Sequence, residues 1–341
     1  MNTKKNITMS LAALALALVT IMLVLKQAGP HTLSSALQFL KEIPPLYIGA
    51  ALVSSCGFIW FEGMGIKTIL DGFNYPCRKR DAFVYAAADV YFSAITPSAS
   101  GGQPASVFFM YLDMIPASVS TAVLLLNLVM YTLALVTMSL AALLAAPGIY
   151  LGFSMPARLI IAGGITVMTL LGILFILLLE GQRFLLRTGT RMINLLYRLK
   201  IIHDPEKYQH KLTAFLAHYG DCVKLIHGNK RMLVKVYIYN VLQRISQLMV
   251  IVIVYLGLDR GGRYPFKVFI TQLFVAGGSN FIPIPGAMGA ADFLMIDGYS
   301  SLFSEGFTYA LSLIGRGISF YCCILISFIF VVAGFLRKRR Q

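Results

Sequence analysis

The chain has 341 residues, of which 58% are hydrophobic and 13% charged, with a mean hydropathy of +0.76. A soluble globular domain carries about a quarter charged residues, so the composition excludes that class and indicates a polytopic membrane protein. Lys and Arg number 29 against 14 Asp and Glu, but the positive residues lie between apolar runs and at the two ends, which is the pattern of membrane orientation rather than of nucleic-acid binding.

A membrane-spanning helix needs about 20 apolar residues. Six stretches meet or approach that length: Met9–Leu25, Leu46–Phe61, Ala117–Ala146, Ile160–Leu179, Val236–Leu258 and Phe307–Leu336. The first follows Lys4 and Lys5, exceeds a signal-peptide core and is followed by no A-x-A site, so it is expected to span. With the N-terminus inside, Lys67, Arg78, Lys79 and Arg80, the arginines and lysines of 181–235, and the terminal "RKRR" all fall on one side. Short cytoplasmic loops are enriched in such residues, which predicts six spans with both ends cytoplasmic.

Two further apolar regions, 83–112 and 268–303, are broken in the middle, by "TPSASGGQP" and by "IPIPGAMGAAD". Their halves are too short to cross, so each is expected to be a re-entrant hairpin, one entering from each side. Oppositely oriented breaks in corresponding positions are a signature of inverted-repeat transporters, although identity between the halves is negligible. The predicted fold is therefore all-α, a single integral membrane domain over 1–341 with about six transmembrane helices plus two re-entrant hairpins. Segment 181–235 places Arg183, Arg187 and Arg191 on one helical stripe beside Leu185, Leu186, Ile193 and Leu196. This basic amphipathic segment is expected on the anionic inner leaflet; docking of a partner is the alternative.

Irregular backbone at membrane depth survives only where it is packed by protein or lines a wet cavity. In "TPSASGGQP", Pro97 ends a half-helix, Gly101 and Gly102 permit the return, and Thr96, Ser98, Ser100 and Gln103 offer polar groups to an anion. The alternative is an ordinary polar surface loop. Asp89 shares a stripe with Tyr85, Ser93 and Thr96. Asp292 follows the second break, and Arg316 lies with Ser312 and Ser319 in the last span. Charges at such depth are functional candidates, or else structural ion pairs, for example Arg316 with Asp292 or Asp89. Asn240, Gln243, Arg244 and Gln247 form a second polar face, with Arg244 either in the cavity or snorkelling to the surface. Glu62, beside Trp60, is expected at the membrane interface.

The five cysteines form no CxxC pair, four of the five histidines lie in one polar segment without HExxH spacing, and no P-loop or nucleophile elbow occurs. Neither a metal site, a cofactor nor a catalytic residue is predicted. A cavity with a guanidinium and free amides suits a phosphate headgroup, and the carboxylates suit a cationic moiety or proton coupling.

"TPSASGGQP", "PIPGAMGAADF" and the arginine of "SLIGRGISFY" together resemble the transmembrane family named for lysylphosphatidylglycerol synthase, over nearly the whole chain. The resemblance implies a headgroup cavity between repeats and transfer of an aminoacylated phosphatidylglycerol across the bacterial cytoplasmic membrane, with resistance to cationic antimicrobial peptides. It assigns functional roles to Thr96, Pro97, Gly101, Gly102, Gln103 and Pro104, then to Pro283, Pro285, Gly286, Gly289 and Asp292, and to Arg316. Many members carry glutamate at the positions of Gln103 and Asp292 and glycine at that of Ala287. Loss of a carboxylate at Gln103 weakens the case for recognising a lysyl ammonium.

Bifunctional members continue into a soluble aminoacyltransferase domain, whereas this chain ends at "RKRRQ". Lysyl transfer by this polypeptide alone is therefore not expected. The expected function is a phospholipid flippase. The alternatives are a phosphatidylglycerol lysyltransferase, a membrane partner of a separate aminoacyl-phosphatidylglycerol synthase, and a flippase of a polyisoprenyl-phosphate glycolipid. A homo-oligomer is compatible with each.

Overall fold

In hydrocarbon every backbone N–H and C=O must be paired within the protein, which restricts a spanning chain to helices or a closed barrel. The computed structural model describes residues 40–96, 100–198, 205–259, 262–282, 287 and 289–338, and every regular element among them is helical. In chain order these are α1 (Pro45–Gly72), α2 (Lys79–Ile95), α3 (Gly102–Leu112), α4 (Ala117–Ala145), the short α5 (Pro147–Leu151), α6 (Met155–Glu180), α7 (Gln182–Arg198), α8 (Pro205–Gly228), α9 (Lys230–Leu258), α10 (Pro265–Ser279), α11 (Ala290–Ser300) and α12 (Glu305–Arg316). A π-helical turn (Gly317–Cys322) joins α12 to α13 (Cys323–Lys338).

Five helical stretches among the described residues are long and apolar enough to cross a membrane: α1, α4, Met155–Leu179 of α6, α9, and the continuous run Glu305–Lys338. They coincide with five of the six expected spans, and the protein is a multi-pass membrane protein; the expected span Met9–Leu25 lies outside the described residues. The starts follow local chemistry. Proline occupies the first turn of α1, α6 and α10, where its missing N–H costs nothing. Asn229 caps α9 by accepting the N–H of Met232 at 3.0 Å, so this helix begins at Lys230 rather than at the expected Val236. Helix α1 continues past the expected Phe61 as far as Gly72, which moves Glu62 from the expected interface into the interior of a span, where it is 5% exposed.

The apolar side chains divide into two cores. One gathers the C-terminal half of α1 (Ile59, Ile66, Leu70), the N-terminal half of α4 (Val119, Val123, Leu126), the start of α9 (Met232, Val236), the pair α2/α3 and α13. The other gathers the N-terminal part of α1 (Ala51), the C-terminal half of α4 (Leu135, Ala142), the later half of α9 (Leu248–Tyr255), the pair α10/α11 and α12. Helices α1, α4 and α9 thus run through both cores, α1 antiparallel to the other two. The two broken helix pairs lie at opposite ends of this central trio.

Without a hydrophobic drive between helices in lipid, packing depends on close approach at small residues. A side chain at Gly63 would meet the Ala82 carbonyl oxygen at 2.9 Å, so α1 and α2 are in backbone contact there. At Gly164 of α6 a Cβ would meet the Gly277 oxygen of α10 at 2.5 Å and Gly278 Cα at 2.7 Å. The segment 181–235 folds as two helices. Helix α8 buries Leu216, Tyr219, Cys222 and Ile226 and packs on α4 and α7, whereas α7 exposes Phe184, Met192 and Tyr197 beside Arg187 and Arg191.

At the other end of the chain, Arg337 pairs with Asp81, and Lys338 pairs with Asp113, which also accepts the Tyr85 hydroxyl. These contacts tie α13 to the base of α2/α3.

Substituting alanine at Gly164 is expected to lower stability by about 1–3 kcal/mol through overpacking against the α10 backbone, read as a drop in the thermal midpoint in detergent. Burial pushes the thiol of Cys77, in the loop before α2, up to about 11. Since the thiolate is the nucleophile, alkylation of a variant retaining Cys77 alone should run on the order of 100-fold slower at neutral pH than that of free cysteine and accelerate as the solution becomes alkaline. A rate equal to that of free cysteine at neutral pH would contradict this.

Candidate functional site

The first broken pair is closed by its own threonine. Thr96 Oγ1 donates to the Phe92 carbonyl at 2.6 Å and accepts the N–H of Gly101 at 2.8 Å, so its hydroxyl serves the turn. Gly102 opens α3, and a Cβ there would lie 2.0 Å from both Asp89 Oδ1 and Ser93 Oγ. Only glycine lets the Asp89 carboxyl approach the helix N-terminus, whose first N–H groups lack intrahelical partners. Pro104 is exposed in the first turn of α3, where proline is accommodated. Pro97 and Ser98 lie outside the described residues. The stripe predicted for α2 divides: Asp89 and Ser93 face a cavity, while Tyr85 bonds to Asp113 and Thr96 to the turn.

In the second pair, Pro283, Pro285 and Gly286 lie outside the described residues. Ala287 has φ +48° and Gly289 φ +84°, both in the left-handed region. Asp292 Oδ2 accepts the Gly289 N–H at 3.0 Å, and Asp292 Oδ1 lies 3.1 Å from Nε of Arg316. Asp292 therefore joins the start of α11 to Arg316, which is the structural pair considered above, formed with Asp292 and not with Asp89. Arg316 immediately precedes the π-helical turn. Within that turn the Ile318 carbonyl accepts the Ser55 hydroxyl at 3.4 Å; such turns are frequent at functional sites.

Both pairs border one cavity of about 610 Å³ at the seam between the two cores. Of the expected residues, Asp89, Gln103, Gln243, Arg244, Gln247 and Arg316 line it. Asn240 lies beneath it, fully buried, with its amide donating to Asn127 Oδ1 at 3.1 Å. Phe58, Leu128, Met168, Leu171 and Phe175 add apolar side chains to the same lining.

Arg244 is the central residue of α9, and Tyr131 is the central residue of α4. The guanidinium carbon lies 3.9 Å from the Tyr131 ring centroid and 5.6 Å from that of Phe58, and Nη1 donates to Gln247 Oε1 at 2.6 Å. Arg244 is 3% exposed, its Nε has no hydrogen-bond partner, and among the described residues no carboxylate lies within ion-pair distance. Its mid-helix position removes the snorkelling alternative. The Tyr131 hydroxyl in turn bonds to Asn280, at the end of α10, so the arginine platform is connected to the second broken pair.

Glu62 enters the cavity from α1 and accepts the Gln243 amide at 3.0 Å. The Asp89 carboxyl is its neighbour in the cavity lining. Glu62, Asn127, Tyr131 and Asn280 escape the sequence reading. The signal for Glu62 is the continued helical pattern "EGMGIKTILDG", and for Tyr131 an amphipathic ring at the middle of an otherwise apolar run. Among the described residues no group of three His, Cys, Asp or Glu side chains is placed to hold a metal ion.

Because alanine in the left-handed region costs about 1–2 kcal/mol relative to its usual conformations, while glycine adds unfolded-state entropy, Ala287→Gly is expected to stabilise the protein by roughly 0.5–1 kcal/mol, measurable as a higher thermal midpoint.

No curated protein and no solved structure matches the chain. Residues 10–327 match the family described as the lysylphosphatidylglycerol synthase TM region. That match embraces both broken pairs and all the cavity-lining side chains named above, and the chain belongs to the lysylphosphatidylglycerol synthase transmembrane-region family.

Proposed function

We propose that this protein is a lipid translocase that carries an aminoacylated phospholipid, such as a lysyl-phosphatidylglycerol, between leaflets. The observation that carries the proposal is Arg244, held at mid-helix on the Tyr131 ring with Nε unpartnered, in the lining of a cavity that has both polar and apolar side chains. A lipid headgroup crossing hydrocarbon loses its hydration, and the cost falls when fixed polar groups replace the water. A guanidinium supplies such groups to a phosphate. The apolar lining at Phe58, Met168, Leu171 and Phe175 suits the glycerol and first acyl carbons.

In this mechanism α2/α3 and α10/α11 are re-entrant hairpins of an inverted repeat, one opening to each side of the membrane, which fits their positions at opposite ends of α1, α4 and α9. The phosphate contacts Arg244 and the amides at the start of α3. Arg316, already engaged by Asp292, borders the site from the second hairpin. Rocking of the two halves exposes the cavity to each leaflet in turn. Both termini are cytoplasmic in a bacterial cytoplasmic membrane, and α7 lies on the anionic inner leaflet. A separate synthase supplies the substrate. Outward transfer of a cationic lipid reduces surface negative charge and with it the attraction of cationic peptides.

Leaflet exchange in proteoliposomes, using labelled lysyl-phosphatidylglycerol, phosphatidylglycerol and a polyisoprenyl phosphate in parallel, tests the proposal. Exchange of the lysyl lipid is expected, and Arg244→Gln should slow it at least about tenfold, since a charge-assisted hydrogen bond contributes about 1.5–3 kcal/mol. Arg316→Gln should act in the same direction. Normal exchange in both folded variants rejects the phosphate site, and exchange of the polyisoprenyl lipid alone reassigns the substrate.

A further inference from the structure

Two ionised carboxylates have acceptors only, and where two share one buried site their repulsion favours holding a proton between them. Glu62 of α1 and Asp89 of α2 are neighbouring carboxyls that line the same cavity, with Gln243 donating to Glu62 at 3.0 Å and Ser93 to Asp89 at 3.3 Å. Two neighbouring groups point to a ligand. Gln243, 2% exposed, gives its amide hydrogen to Glu62 and leaves its Oε1 acceptor without a partner. Arg244, 3% exposed, leaves its Nε donor without one. An unpartnered acceptor and an unpartnered donor thus stand on adjacent residues of the cavity lining.

We infer that Glu62 and Asp89 form a proton-binding site whose proton is exchanged for the primary ammonium of the lipid headgroup as it enters the cavity. The inference rests on the translocase reading of the same site. With one shared proton the pair carries a single negative charge, which the charge of Arg244 balances. When the ammonium enters, the acid O–H breaks, its proton passes to water in the cavity, and both carboxylates accept from the R–NH₃⁺ group. The site's net charge is unchanged by the exchange, so the step avoids burying an additional charge. Each ammonium carried one way is thereby linked to a proton carried the other way.

The other titratable groups bordering the pair are Arg244 from α9, Tyr131 from α4, Cys323 from α13, Cys56 within α1 and Arg316 beyond its Asp292 partner. From α3 the neighbour is the neutral Gln103.

The test uses the full chain in nanodiscs of a zwitterionic, amine-free lipid. Infrared difference spectra across neutral pH should show one protonated-carboxyl band, absent in Glu62→Gln and in Asp89→Asn. Addition of lysyl-phosphatidylglycerol to weakly buffered protein should release about one proton per chain into a pH-indicating dye, and phosphatidylglycerol should release none. Absence of the acid band in the wild type, or a band without release on lysyl-phosphatidylglycerol, overturns the inference, and neither outcome depends on the variants folding. Leaflet exchange is measured on the same preparation: proton release without exchange supports the proton site and rejects the translocase reading alone.

Discussion

A guanidinium held at the middle of a membrane helix requires compensation from everything around it, because a charge in hydrocarbon is among the costliest groups a fold can bury. Arg244 meets this requirement through the face of Tyr131, the Gln247 carbonyl and the nearby Glu62. Each of these sits on a different part of the bundle or on a different helix turn. The positions of α1 and α4 relative to α9, and the cavity at the seam between the two apolar cores, meet the need to surround this one charge with polar partners.

Small residues make that enclosure geometrically accessible. Gly63 brings the α1 and α2 backbones into contact, and Gly102 lets Asp89 approach the first turn of α3, where any side chain would collide with the carboxyl. Close approach converts what would be scattered polar side chains into a connected set. On the opposite side, Gly164 against Gly277 and Gly278 seats α6 on α10, and α6 contributes apolar lining through Met168, Leu171 and Phe175. The resulting cavity is lined by both polar and apolar side chains.

The breaks in the helices serve different ends. Thr96 and Asp292 spend their side chains on the turns and helix starts beside them, and Asp292 also holds Arg316. The terminal helix is fixed separately, by Arg337 to Asp81 and Lys338 to Asp113 at the base of α2/α3. Thr96 and Asp292 thus bond within the protein, while polar side chains of the unbroken helices α1, α4 and α9 share the lining of the cavity.

The sequence by itself determined the membrane class, five of the described spanning helices, the two interrupted segments and the polar stripe of α9. Each of these is written in local composition or in the 3.6-residue period, which a linear reading can follow. It also placed Asp89, Gln103, Gln243, Arg244, Gln247 and Arg316 as candidates, all of which line one cavity. Glu62 was misplaced at the interface because an acidic residue after an apolar run resembles a helix end, whereas α1 continues to Gly72.

Only the tertiary structure decided that Arg316 pairs with Asp292, that Arg244 stacks on Tyr131, and that Glu62 meets Asp89. Periodicity tells which residues share a face of one helix. Which faces meet depends on backbone contacts between segments far apart in sequence, such as Gly63 with Ala82, and that information is carried by packing rather than by any local pattern.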